Sequence, residues 1–297
     1  MKDLYRVTWA LAALFIAFSG DASAARRVKI CSNGGTDWPT CTAPSTSTGG
    51  TTTTTGGTTT TTTLMPKGAT GTFTMSFDDE FSGTTLDTTK WNDHMWYEVS
   101  NATINYSVGN GLLSVWPQRD ANGKFFNRTL DTDKKYSQTY GFFEMEARLP
   151  VGKGTWPGFW LFNHDLAAYP AKRPEIDIME AYAGGGVNSG WSDANLHPTA
   201  FASTVWIDAG TLGGTKTLAT TDLSAAFHTY GVDWQANSIT FYFDGVPFAV
   251  VNKAMPDPMY VVLSMWFGSA SGTPDSTTPT GPGNAFQINY IRAWKRN

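Results

Sequence analysis

Glu175-Ile176-Asp177-Ile178-Met179-Glu180 sets three carboxylates into a short apolar run, an arrangement that does nothing for the stability of a soluble protein. Ile176, Ile178 and Met179 read as strand, and a strand sends alternate side chains to opposite faces. Glu175 and Asp177 therefore share a face, but regular alternation would put Met179 there next and turn Glu180 away. A β-bulge near Ile178-Met179 adds one residue and returns Glu180 to the face of Glu175. The glutamates then stand roughly 13 Å apart along the chain. Strand twist and side chains leaning together shorten the carboxyl separation to about 5–6 Å, a spacing at which two carboxyl groups can act on one bond. An edge strand with its charges in solvent is the alternative; Trp156, Pro157, Trp160 and Phe162 just upstream weigh against it.

Outward from that run, strand signals recur: Gly71–Phe77, Gly111–Trp116, Gly141–Leu149, Trp156–Phe162, Glu175–Ala183, Ser238–Phe243, Met259–Trp266 and Phe286–Trp294. Alternation is clear around Phe241-Tyr242-Phe243, and Asp244-Gly245 is a hairpin turn signal. Amphipathic helices are scarce, Leu223–Phe227 amounting to a turn or two. Short strands punctuated by Gly, Pro, Asn and Asp indicate an all-β sandwich.

The ordered motifs add a resemblance. Glu175-Ile176-Asp177-Ile178-Met179-Glu180 is similar to the signature of glycoside hydrolase family 16 in its bulged, laminarinase-like form. Phe77-Asp78-Asp79-Glu80-Phe81, Leu86–Trp91, Gly141–Arg148, Gly154–Leu161, Phe227–Trp234, Ile239–Gly245 and Tyr290–Trp294 resemble the family in the same order, so the likeness spans about residues 70–294. It implies a β-jelly roll of two curved antiparallel sheets with a substrate cleft on the concave face. It also implies an endo-acting β-glycanase that retains anomeric configuration, with β-1,3 or mixed β-1,3/1,4 glucan as substrate. Arg173-Pro174 departs from the commoner Gly before the first Glu and leaves a succinoglycan-type exopolysaccharide glycanase as a rival; a non-catalytic carbohydrate-binding or wall protein on the same fold is a second.

By motif position, the resemblance makes Glu175 the nucleophile and Glu180 the acid/base. Asp177, between them on one face, would hydrogen-bond and orient Glu175, and the mutual repulsion of three carboxyls favours keeping a proton in the cluster. Trp156 and Trp160 fall in the family's cleft motif, and at least one of them is expected to form a sugar platform beside the cleavage point. His197 stands where the family often has a histidine near the cleft floor, and Trp266 is a candidate for the cleft wall. His164 and His228 read as structural. No histidines have metal-ligand spacing, so no cofactor is required. Members of the family often hold a structural calcium through an Asp just before the last strand, where this chain has Asn289; calcium is therefore doubtful.

The rest of the chain frames this domain. Lys2 and Arg6, the apolar Val7–Phe18 and the small residues Ala22-Ser23-Ala24 form a signal peptide over 1–24, which implies a secreted or periplasmic protein with no membrane contact after cleavage. Cys31 and Cys41 would pair in an oxidising compartment and close a short segment over 25–44. Residues 45–63 are all Ser, Thr or Gly, a linker without apolar surface to offset ordering entropy. Residues 64–297 form the catalytic domain. Net charge is −4 with no basic stripe, so nucleic acid is not a partner; 12 Trp in a weakly charged exported chain suit a neutral polysaccharide and a monomer.

Overall fold

The computed structural model describes residues 64–163, 173–184, 199–219 and 222–297, with no side chains given for 216–219. The proposed signal peptide, the Cys31–Cys41 segment, the linker, His164 and His197 lie outside the described residues.

The chain forms two antiparallel sheets. One contains β1 (Phe73–Asp79), β2 (Tyr106–Gly109), β3 (Leu112–Val115), β5 (Gly141–Arg148), β10 (His228–Gln235), β11 (Ser238–Phe243), β12 (Val246–Val251) and β14 (Phe286–Arg296). Its order is β12-β11-β10-β5-β14-β3-β2, with β1 also on β14. The other contains β4 (Arg128–Asp131), β6 (Thr155–Phe162), β7 (Glu175–Ala181), β8 (Ala200–Asp208), β9 (Thr211–Ala219) and β13 (Tyr260–Phe267), in the order β4-β13-β6-β7-β8-β9. The expected jelly-roll sandwich is what forms. Short 3-10 turns at Ser269–Ser271 and Pro282–Asn284 are the helical elements among the described residues, and Leu223–Ala225 is a turn.

The core lies between the sheets. Phe159, Leu161, Ile176, Met179, Val261 and Leu263 from the six-stranded sheet meet Phe143, Met145, Val232, Trp234, Phe241 and Ile291 from the eight-stranded one. A second apolar cluster of Met95, Trp160, Phe162, Tyr260 and Val262, with Trp266 against it, covers the outer face of the six-stranded sheet. That face also carries the carboxylates. The hairpin expected at Asp244-Gly245 joins β11 to β12, and both residues have positive φ, 49° and 76°, as a turn matched to strand twist requires.

Five strands were not anticipated: β2, β4, β8, β9 and β10. β2 and β4 are four residues each, too short for alternation to register. β9 carries Gly213-Gly214 and Lys216 where a β-rich apolar pattern would have marked it, while β8 does carry strand formers, Phe201 and Thr204-Val205-Trp206-Ile207, that went unread.

Candidate active site

The bulge is where the sequence pattern requires it. On β7, Asp177 and Glu180 oppose Thr204 and Ala202 of β8, so three steps on one strand match two on the other. Against β6, Met179 pairs with Phe159 and Asp177 with Trp160, again one residue in excess on β7. Ile178 is the extra residue. Ile176, Ile178 and Met179 are all buried in the core, while Glu175, Asp177 and Glu180 project to the other side. A bulge takes a carbonyl out of the ladder, and Ser203 Oγ donates to Ile178 O at 2.7 Å. The hydroxyl satisfies a buried acceptor that would otherwise be costly.

Asp177 is 3% exposed, with Glu175 and Glu180 half-buried beside it. Burial pushes the Glu175 carboxyl up to about 7, the hydrogen bond from Asp177 pulls it back, and the charge of Glu180 adds to the rise. Asp177 is driven well above the ordinary carboxylate range by burial and by both glutamates, against a hydrogen bond from Trp206. Two ionised carboxylates cannot bond to one another, so the Asp177–Glu175 contact needs a proton. The buried Oδ2 of Asp177 has no hydrogen-bond partner. Burial and mutual charge raise both carboxyls, so the coupled pair keeps a proton between them.

Glu180 is held differently. Trp156 Nε1 and the Tyr182 hydroxyl both donate to its Oε1, each at 3.1 Å. Burial still raises the Glu180 carboxyl above its ordinary value, with Tyr182 and then Trp156 opposing. With Oε1 occupied twice, Oε2 is the oxygen left to carry a proton into the cleft. The Trp156 and Tyr182 rings lie 5.7 Å apart at 30° and bracket that carboxyl. Tyr182 is in turn hydrogen-bonded by Ser269.

The aromatic residues divide. Trp156 and Trp160 share the cleft face, and both meet Trp266 edge-on at 5.4 and 5.6 Å. Trp160 is only 6% exposed and its indole donates to Ser264 Oγ at 3.2 Å. It builds the cleft wall, which leaves Trp156, the less buried of the two, as the platform candidate. Trp266 is half-buried between the two, pinned by donation to Thr129 Oγ1 at 2.8 Å, and Thr129 donates onward to Glu98 at 2.9 Å. Tyr97, exposed, sits close enough to Glu175 to feel its charge. His228 is structural as expected, bonded to Asp244 at 2.8 Å and stacked on Phe243.

Sequence reasoning missed Tyr182, Trp206, Ser203, Thr129 and Tyr97. Tyr182 was within reach, since two residues past Glu180 alternation returns it to the same face. Trp206 and Ser203 lie on β8, whose Thr204-Val205-Trp206-Ile207 run signals a strand but not its pairing with β7.

At Asn289 the neighbouring side chains pair with one another. The Asn289 amide donates to Glu146 Oε2 at 2.6 Å, and Lys67 Nζ takes the other oxygen at 3.0 Å. Among the described residues, no group of three or more His, Cys, Asp or Glu converges as ligands.

The sequence matches the profile described as glycosyl hydrolases family 16 over residues 51–292. An endo-1,3-1,4-beta-glycanase, ExsH, of Rhizobium meliloti is 32% identical over 215 residues, covering 69% of this chain and 43% of that protein. A beta-glucanase of Rhodothermus marinus is 26% identical, covering 74% of this chain and 84% of the other. The chain thus spans less than half the length of the Rhizobium relatives it matches. Among solved structures, the endo-beta-1,3-glucanase of Pyrococcus furiosus superposes with a TM-score of 0.62 at 24% identity, over 76% of this chain and 95% of that one.

Proposed function

The chain belongs to glycosyl hydrolase family 16, and from that premise we propose that it is an exported endo-acting β-glycanase. It would cleave β-1,3 or mixed β-1,3/1,4 glucan by double displacement with retention of configuration. Glu175 attacks the anomeric carbon while Glu180 protonates the departing glycosidic oxygen through Oε2. Glu180, now ionised, then deprotonates the water that releases the glycosyl group from Glu175. The proton shared with Asp177 bonds Glu175 in its carboxylate form and so favours the nucleophilic state. When Glu175 becomes an ester, its carbonyl oxygen can still accept that proton.

The observation that carries this reading is the unequal treatment of the two glutamates. One shares a proton with Asp177, and the other has a single oxygen fixed by two donors. A binding module has no use for three crowded carboxyls, whose repulsion and desolvation cost stability. The names of the relatives support a backbone containing 1,3 links, alone or mixed with 1,4. Export rests on Lys2, Arg6 and the apolar run ending at the small residues near Ala24.

The test assays purified protein on laminarin, lichenan and an acidic exopolysaccharide, with NMR of fresh product. Retention on either glucan is expected, and azide should rescue Glu175→Gly to give the α-glycosyl azide. Inversion would overturn double displacement. Activity on the exopolysaccharide alone would move the substrate to the rival reading. Tight binding with no reducing ends released would make the protein a binder.

A further inference from the structure

We propose that the chain carries a second glycan-binding site: a cavity of about 870 Å³ beyond the β4 edge of the six-stranded sheet, which holds a neutral stretch of the polysaccharide whose other part lies in the catalytic cleft. The inference rests on the functional reading above and names a place that the reaction itself does not need.

Position separates the cavity from the chemistry. Asn92, on its wall, bridges to Asp131 of β4, with Asn92 N donating to Asp131 O at 2.8 Å. The segment thus adds one rung outside β4. From β7 the path crosses β6, β13 and β4 before reaching it, four strand spacings or about 19 Å. The carboxylates cannot touch a ligand bound there.

The lining suits an uncharged polyol. Thr84, Thr85, Thr88 and Ser107 offer hydroxyls that can donate or accept. Trp96, 44% exposed, and Tyr106 offer ring faces, the Tyr106 ring being backed by Arg128 at 5.3 Å. Charges are settled internally. Asp93 holds His94 at 2.6 Å, and Lys135 Nζ is spent on the carbonyls of Thr88 and Trp91. Asp133 and Lys134 oppose one another in sign. No net field is left for an anion or a cation, and the volume falls in the range of ligand sites. Lys134 also has a φ of 58°, a backbone state that a non-glycine residue adopts at a cost and that gathers at ligand sites.

One loop joins cavity and cleft. The ring of Trp96 lines the cavity, and the same side chain hydrogen-bonds Tyr260 on the cleft face. Tyr97 packs edge-on to it at 5.2 Å and lies near Glu175. A glycan leaving the Glu175 end of the cleft across β13 and β4 passes over Trp96 into the cavity. Two linked sites on one chain raise the affinity for long substrates and leave short ones unaffected.

The experiment compares wild type with Ser107→Trp, which fills the cavity from an exposed position on β2, and with Thr84→Val/Thr85→Val, which removes two exposed lining hydroxyls at constant shape. On laminarin or lichenan polymer, KM should rise at least about tenfold, a fraction of the roughly 10²–10⁴-fold that full linkage of two sites supplies, with kcat unchanged. On a tetrasaccharide of the same linkage both constants should stay at wild-type values. Variants indistinguishable from wild type on the polymer overturn the proposal, as does an equal loss on polymer and tetrasaccharide in protein that melts normally. If the wild type cleaves no glucan, the functional reading has failed separately, and affinity electrophoresis in laminarin gels decides the cavity. Retardation of wild type that Ser107→Trp abolishes supports it; no retardation, or retardation that the variant keeps, overturns it.

Discussion

Replacing Glu175 by Gln should make the protein more stable, and only at neutral and alkaline pH. The Glu175 carboxyl rises from 4.5 to about 7 in the folded chain, chiefly through burial. A folded pKa above the unfolded one means that the fold prefers the protonated acid. Its contribution is fully present below pH 4.5 and is lost as pH rises through about 7. A shift of roughly 2.5 units corresponds to about 3 kcal/mol of stability forgone above pH 7. Gln cannot ionise, keeps the volume, and still presents a carbonyl oxygen to the proton of Asp177. The variant and wild type should therefore melt together near pH 4, diverge between pH 4.5 and 7, and differ by about 3 kcal/mol at pH 8.5. For a domain of this size that is roughly 6–12 °C in Tm. Calorimetric melts of both proteins across that pH range read it directly. A difference that stays flat with pH, or a variant less stable at pH 8.5, would refute the reasoning: Glu175 would then be solvated or compensated and not held as a buried acid. The variant should also lose nearly all turnover, making this a site where stability is given up for chemistry.

Three further outcomes follow from the same geometry. Asp177→Asn should cut turnover by a large factor while leaving oligosaccharide affinity, measured by calorimetry, within a few-fold, because the residue acts on Glu175 and not on the sugar. Tyr182→Phe removes one of two donors to Glu180 Oε1; loss of a bond to the charged form raises the acid/base pKa, so the alkaline limb of the kcat/KM profile should move to higher pH. A limb that stays put, or moves down, would show that Tyr182 does not tune Glu180. Ser203→Ala orphans the bulge carbonyl of Ile178 and should cost about 1–3 kcal/mol in denaturant unfolding; a neutral result would mean that the carbonyl finds water.

The sandwich, the strand carrying the carboxylates and the need for a bulge inside it were all legible along the chain. These are local facts: period-two alternation reports which face a side chain takes, and Glu180 could join Glu175 only by the insertion of one residue. Legible too was which aromatic residues share that strand's neighbourhood, because Trp156 and Trp160 stand an even number of residues apart. Only the tertiary structure decided what each of these groups does. Trp206 and Ser203 come from β8, and although its Thr204-Val205-Trp206-Ile207 run favours a strand, only pairing with β7 brings it to the carboxylates. The division between Trp160, sealed at 6% exposure, and Trp266, half-buried beside it, depends on Met95 and Phe162 arriving from a loop and from further along β6. Proton ownership was the least legible of all. Glu175, Asp177 and Glu180 are the same functional group in one hexapeptide, and their different states arise from burial depth and from donors on other strands, quantities that alternation along a single strand does not contain.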